Sequence, residues 1–237
     1  MKPINEEDTA WPSQRKSSAG RSARSFGTTP SRTWRSARSA AAPTGTERPI
    51  WHDAENPRLK VLPIFGVPLT VNEEVTTTLD YGFDYSGSLH YGIDAHFHAP
   101  FKMNDHVETY VVQEAIWDRG EGRGSLSKQV GKSYSADGVH LCTVETYDCC
   151  IYDGGFGGER PPKDVVEYPD REPDLAYEEV CGYQWPLIYR LMGDWHQQHI
   201  DWAYTEQTGL ARPINHGICT AGIAMRHLIA LLILGQP

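Results

Sequence analysis

Apolar positions along the chain fall into distinct regimes. Through residue 50 large apolar side chains are sparse, and Ser, Gly, Pro, Arg and Ala dominate. Such a stretch cannot offset the entropy of ordering it, so residues 1–50 are expected to be a disordered leader. From Leu59 the pattern changes. LKVLPIFGVPL reads as a turn leading into a buried stretch around Val61 to Leu69. A turn at Met103-Asn104-Asp105 precedes a run from Val107 to Trp117 whose β-branched and aromatic residues favour a strand. SLSKQVGKSYS ends in the turn Ala136-Asp137-Gly138, and HLCTVETYDCCIYDGG supplies a further long strand. Strands joined by such short turns predict an antiparallel sheet.

Gly154, Gly155, Gly157 and Gly158 then break the pattern, and Pro161, Pro162, Pro169 and Pro173 follow. This composition predicts an extended linker and a domain boundary. Beyond it, Tyr183 to Met192 opens the last segment, and Asp194 to Ile200 reads as a polar loop or irregular helical turn. Asp201 is placed to cap a short helix running to Thr208, which Gly209 ends. A second helix is predicted from His216 to about Leu234, with Thr220, Ile223, Ala224, His227 and Leu228 on one face. The expected division is a leader (1–50), a first half (56–160), a Pro-rich linker (161–176) and a second half (177–237).

Charge and cysteine content narrow the function. The 237 residues carry a net charge of −9. The leader is basic, with nine Lys/Arg against four acids, so about −14 lies on residues 51–237. An acidic body disfavours nucleic acid as a partner, because phosphate recognition needs a concentrated basic surface. Five cysteines include no CxxC pair, which fits neither a disulfide framework nor a structural zinc site. The apolar run Leu228 to Leu234 is too short to span a bilayer.

Candidate chemistry concentrates between residues 189 and 228. Asp194 and His199 lie five residues apart across a polar turn. His216-Gly217 follows Pro213 at a helix start, where a glycine leaves its backbone N–H open to a substrate oxygen. A carboxylate, an imidazole and an N–H donor are what proton transfer next to a thioester carbonyl requires. Two other chemistries compete. His196 and His199 form an HxxH pair beside Asp194 and Asp201, with His96 and His98 upstream, but no third ligand is defined for a metal. GGFGGER at 154–160 has neither the glycine order nor the lysine of a nucleotide-binding loop.

The stretch YRLMGDWHQQHID, followed by GLARPINHGICTAG, resembles the signature of the MaoC-like, hydratase 2 family of (R)-specific enoyl-CoA hydratases. Family members read YRLSGDxNPLHxDP and then GFxxPILHGLCTxG. LKVLPIFGV, WDRGEG and GGFGGERPP extend the resemblance to roughly residues 56–228. It implies an α+β hot dog fold in a double hot dog arrangement, with an acyl-binding first half and a catalytic second half. It implies Asp194 and His199 as the acid/base pair, Gly217 as oxyanion donor, and Arg190, His196, Asp201, Pro213 and His216 around the substrate. Cys219 is expected to be packed rather than nucleophilic. The implied activity is reversible hydration of trans-2-enoyl-CoA, or dehydration of a (3R)-3-hydroxyacyl-CoA or related thioester. The alternative is a noncatalytic acyl-thioester-binding protein. The implied partners are an acyl-CoA substrate and a second copy or a pathway enzyme, with no cofactor and no metal. The expected location is peroxisomal or cytoplasmic, without a recognisable C-terminal peroxisomal signal.

Departures from the family pattern include five positions. His196 stands for Asn, Gln197-Gln198 for Pro-Leu, Trp202 for Pro and Asn215 for Leu. The second half is expected to run about 60–80 residues further in a domain of usual size, so it reads here as incomplete.

Overall fold

The computed structural model describes residues 29–31, 61–71, 83–103, 105–163 and 167–234. Four long strands form its frame: β2 (Ser88–Phe97), β3 (Val107–Asp118), β4 (Ser125–Ser135) and β5 (His140–Cys150). A three-residue strand, β1 (Thr29–Ser31), lies outside β3. Every pairing is antiparallel and the order is β1-β3-β4-β5-β2. The three strands read from the sequence are β3, β4 and β5. β2 is an addition, and it makes β1 and β2 the sheet edges. Thr29–Ser31 also gives part of the leader a place in the fold; the rest of residues 1–50 lies outside the described residues, as does the chain from Gly235 onward.

Cross-strand register shows how the inner face is built. Ala95, Val144, Gly131 and Val111 make one transverse row, and Phe97, Cys142, Ser133 and Thr109 the next. Phe65, Val67, Leu69 and Phe101 pack on this end and complete the core. Phe65 and Phe101 meet edge to face at 5.5 Å between ring centroids, a favoured aromatic geometry. Toward the other end the rows turn polar: Thr146 faces Gln129, and Asp148 lies between His90 and Ser127. On the opposite face of the sheet, the Lys128 ammonium sits 2.5 Å from Glu114 and 2.8 Å from Glu145.

The Gly-rich stretch after β5 returns to β3. The Asp118 carboxylate accepts N–H groups from Gly120 (2.7 Å), Gly155 (2.8 Å) and Gly157 (2.7 Å). These donors, Gly155 foremost, hold its pKa below the ordinary carboxylate value. The chain beyond has no regular element until α1 (Gln184–Tyr189); α2 (Trp202–Gln207) and α3 (Gly217–Leu234) follow. Among the described residues the second half contributes no strand.

α3 packs differently from the expected face. Its buried positions include Ile218, Cys219, Ile223 and Arg226, whereas Thr220, Ala224 and Leu228 are exposed. The cause is the approach of residues 177–179. Glu179 pairs with the Arg226 guanidinium and with His227 Nε2 at 2.8 Å, and Tyr177 stacks on His227. A salt-bridged arginine thereby takes a place that periodicity assigns to apolar residues. Among the described residues, no helix is long and apolar enough to cross a membrane.

Candidate active site

A chain of short turns places the site. Arg190–Met192 form a 3-10 turn that closes at Gly193, whose φ of 108° lies in the left-handed region that favours glycine. The chain thus reverses just before Asp194. The His196 Nδ1 accepts the Gln198 N–H at 3.3 Å and caps the next turn, Gln197–His199. Asp201 accepts the Tyr204 N–H at 3.1 Å and caps α2, as its side chain and position predicted.

Ile214 ties this turn to the start of α3. Its N–H donates to the Gln198 carbonyl at 3.1 Å, and its own carbonyl accepts from His199 Nδ1 at 2.9 Å. A carbonyl can only accept, so His199 carries its proton on Nδ1. In the neutral ring Nε2 then carries the lone pair, and the Gln198 amide donates toward it at a long 3.5 Å. That atom lies 3.9 Å from Asp194 Oδ2. The gap exceeds a direct hydrogen bond and leaves the two groups to act on a third atom between them.

His216 lies behind the pair. Its Nε2 donates to the Asp194 backbone carbonyl at 3.1 Å, and its ring stacks on His199 at 3.6 Å and leans on Tyr189 at 4.6 Å. Burial pushes its pKa down to about 4, with His199 adding to the effect and Asp194 opposing it. Burial also lowers His199, again against the charge of Asp194. Both imidazoles are therefore neutral at pH 7, the state in which His199 can take a proton.

Gly217 opens α3. A Cβ built there would meet nothing within 4 Å, so its backbone faces open space. First-turn N–H groups of a helix have no intrahelical partner and carry the positive end of its dipole. Asp194, His196, His199 and Gly217 all line one cavity of about 240 Å³. Arg190, Asp201, Pro213 and His216 are not among its lining residues. Arg190 instead donates to the Trp195 carbonyl at 3.4 Å, and Asp201 is committed to its cap. These residues shape the loops rather than face the cavity. The lining also includes residues that sequence reasoning missed, Ser88, His90, Ser127, Gln129 and Asp148 on the sheet, together with Gln198 and Asn215, two of the departures noted in the sequence.

Asp194, His199 and His216 each bring a potential ligand atom within 4.8 Å of the others, a different trio from the HxxH pair. The donor set fits a metal poorly. His216 Nε2 donates to the Asp194 carbonyl, so that nitrogen offers no lone pair to a metal.

The comparisons accord with this geometry. No family model matches the chain. It is 33% identical over 154 residues to the 3-hydroxyacyl-thioester dehydratase Y of Mycobacterium tuberculosis, covering 63% of this chain and 53% of that protein. It is 31% identical over 178 residues to the enoyl-CoA hydratase ChsH3 of the same organism, covering 73% and 62%. The chain thus spans about half to two-thirds of the length of these relatives. A MaoC-like dehydratase from Phytophthora capsici superimposes with a TM-score of 0.73 at 20% identity, over 89% of this chain and 76% of that one. The sheet and the helices beside it define an α+β hot dog protein. Within that class, the chain is similar to enoyl-CoA hydratases and a 3-hydroxyacyl-thioester dehydratase, in accord with the resemblance of its site sequence to the MaoC-like, hydratase 2 family.

Proposed function

We propose that this protein is a hydro-lyase that interconverts a trans-2-enoyl-CoA and its (3R)-3-hydroxyacyl-CoA, or a closely related acyl thioester pair. The observation that carries this reading is the convergence of Asp194, His199 Nε2 and the Gly217 backbone on one cavity. A water held between Asp194 and His199 gives up a proton to the pair as its oxygen adds to C3. Enolate charge then develops on the thioester oxygen, where the Gly217 N–H donates to it. The pair returns a proton to the α-carbon, so one water is added across the double bond. Neutral His199 suits this role, and His216 holds its ring in place from behind. A second copy of the chain or a pathway enzyme is the expected partner, and a peroxisomal or cytoplasmic location is consistent with the reading.

Loss of enoyl-thioester absorbance on hydration of trans-2-butenoyl-CoA and trans-2-hexenoyl-CoA tests the proposal. Asp194→Asn and His199→Gln should each lower turnover by roughly 10²–10⁴-fold, the usual size of a general acid/base contribution. The double variant should lose less than the product of the two, because the residues act as a unit. Turnover unchanged in both single variants would refute the assignment. Turnover abolished by a chelator and restored by a divalent metal would favour Asp194, His199 and His216 as ligands. A wild type that binds these thioesters without hydrating them would be the noncatalytic acyl-binding protein.

A further inference from the structure

We infer that His196 is a positioning residue for His199: its ring caps the turn that carries the base, and it holds that cap only while Nδ1 is free of a proton, so the placement of the base is lost in acid. The consequence for turnover rests on the hydratase reading; the cap itself does not.

Gln198 links the two histidines. Its N–H donates to His196 Nδ1 at 3.3 Å, and its carbonyl accepts the Ile214 N–H at 3.1 Å. The residue before the base is thus held at both ends. The Ile214 carbonyl in turn receives His199 Nδ1 at 2.9 Å. Releasing the N–H end of Gln198 therefore frees one side of the clamp that sets the His199 ring. The first position of the turn is Gln197, where the family pattern has a proline. A proline enters a turn with φ already set. Glutamine brings no such constraint, so more of the ordering falls to the cap.

The cap is an imidazole, and that makes it conditional. The favoured cap side chains, Asn among them, present an oxygen that accepts across the neutral range, and the family pattern has Asn at this position. In neutral His196, Nδ1 keeps the lone pair that accepts from Gln198, and the proton sits on Nε2. A second proton can go only to Nδ1. Nδ1 then becomes a donor facing the Gln198 N–H, and two hydrogens oppose each other where one hydrogen bond stood.

The groups around the ring decide how readily that proton is taken up. Asp194 Oδ1 accepts the His196 backbone N–H at a long 3.4 Å, and Asp201 heads α2. Both carboxylates favour a cation. Arg190, which donates to the adjacent Trp195 carbonyl at 3.4 Å, opposes one. The His199 ring meets the His196 ring edge to face at 6.3 Å between centroids, and Tyr204 of α2 does so at 5.5 Å. His90 and Asp148 line the sheet wall of the same cavity. Charge on His196 also disfavours a proton on His199, so acid weakens the base as well as displacing it.

The test compares wild type, His196→Asn and His196→Ala on the purified full chain, with trans-2-hexenoyl-CoA as substrate. At about pH 8, His196→Ala should lower kcat, rather than raise KM, by on the order of tenfold through misplacement of the base. His196→Asn restores an acceptor and should recover most of that loss. From about pH 8 to about pH 5, the range in which imidazoles ordinarily titrate, the ratio of wild-type to His196→Asn kcat should fall by on the order of tenfold. His199 adds an acid limb of its own to both, and burial places that limb lower. Circular dichroism checks that both variants fold. Parallel profiles for wild type and His196→Asn would overturn the inference, as would equal kcat for the Ala and Asn variants at about pH 8. NMR on 15N-labelled protein reads the cap without turnover. The Gln198 amide proton should shift with titration of the His196 ring in the wild type and stay in place in His196→Asn. A Gln198 amide indifferent to that ring would refute the cap even in an active enzyme. Coupled shifts in a protein that hydrates no enoyl thioester would support the cap and sink the hydratase reading alone.

Discussion

Between Val107 and Cys150 the backbone satisfies itself: three strands of eleven or twelve residues pair along their length, interrupted by single register shifts. Between Arg190 and Gly217 there is no such ladder. Two 3-10 turns, a six-residue helix and a few cross-loop hydrogen bonds set every position that matters. The difference is one of redundancy. A ladder shares the loss of one bond among its neighbours, whereas the His199 ring is tied to the backbone by its hydrogen bond to Ile214. The sheet supplies stability and a lining surface, and the loop supplies reacting groups whose geometry depends on single contacts.

That contrast can be broken from either side. The largest expected effect on folding is in the sheet. Val144 is fully buried in the core, and Val144→Asp would put an unpaired carboxylate there. A loss of about 4 kcal/mol or more is expected, from an uncompensated buried charge. Urea denaturation would show it, and a midpoint within error of the wild type would contradict the sheet's role.

Next comes acidification, which acts on the loop. The unfolded chain takes up a proton on His216 near pH 6.5, but the folded chain does so only near about 4. The histidine's contribution to stability is therefore full above pH 6.5 and lost as pH falls toward about 4. A shift of this size corresponds to about 3 kcal/mol. Asp148, raised by burial, works in the opposite direction. Comparing wild type with His216→Gln isolates the imidazole: the variant should show the shallower decline between pH 6.5 and 4, and parallel curves would count against the buried neutral stack. The smallest effect belongs to the cap. Asp201→Ala should cost about 1 kcal/mol, the usual value of a lost N-cap, seen as a small drop in melting temperature with the strands unaffected.

Legibility in the sequence followed the range of the interactions. β3, β4 and β5 were readable because their β-branched and aromatic runs are long and their turns short. β2 was not: its alternation shifts at the bulge between His90 and Gly92, and histidine, tyrosine and glycine mask what remains. Asp194, His199 and Gly217 were legible as a local motif, and the structure brings them to one cavity. Asp148, His90 and Ser127 come from three strands, and nothing local marks them as neighbours until the register is known. His216 was legible as part of the same motif, but its stacking on His199 and its bond to the Asp194 carbonyl were not. On α3 the expected apolar face failed because Glu179, far upstream, supplies the partner that lets Arg226 be buried.

The two hydrogen bonds to Ile214 have a further consequence. Only Asn215 and His216 separate Ile214 from Gly217, so the residue that holds the His199 ring also sets where the proposed oxyanion donor begins. Base and donor are gauged against each other by one short piece of chain. That span need fit only the distance from C3 to the thioester oxygen, which is the same whatever follows along the acyl group. The sheet wall of the cavity belongs to different elements, and its side chains can be exchanged without resetting the gauge. Cavity wall and reaction are thus written on separate parts of the molecule, and one can drift in evolution while the other stays fixed.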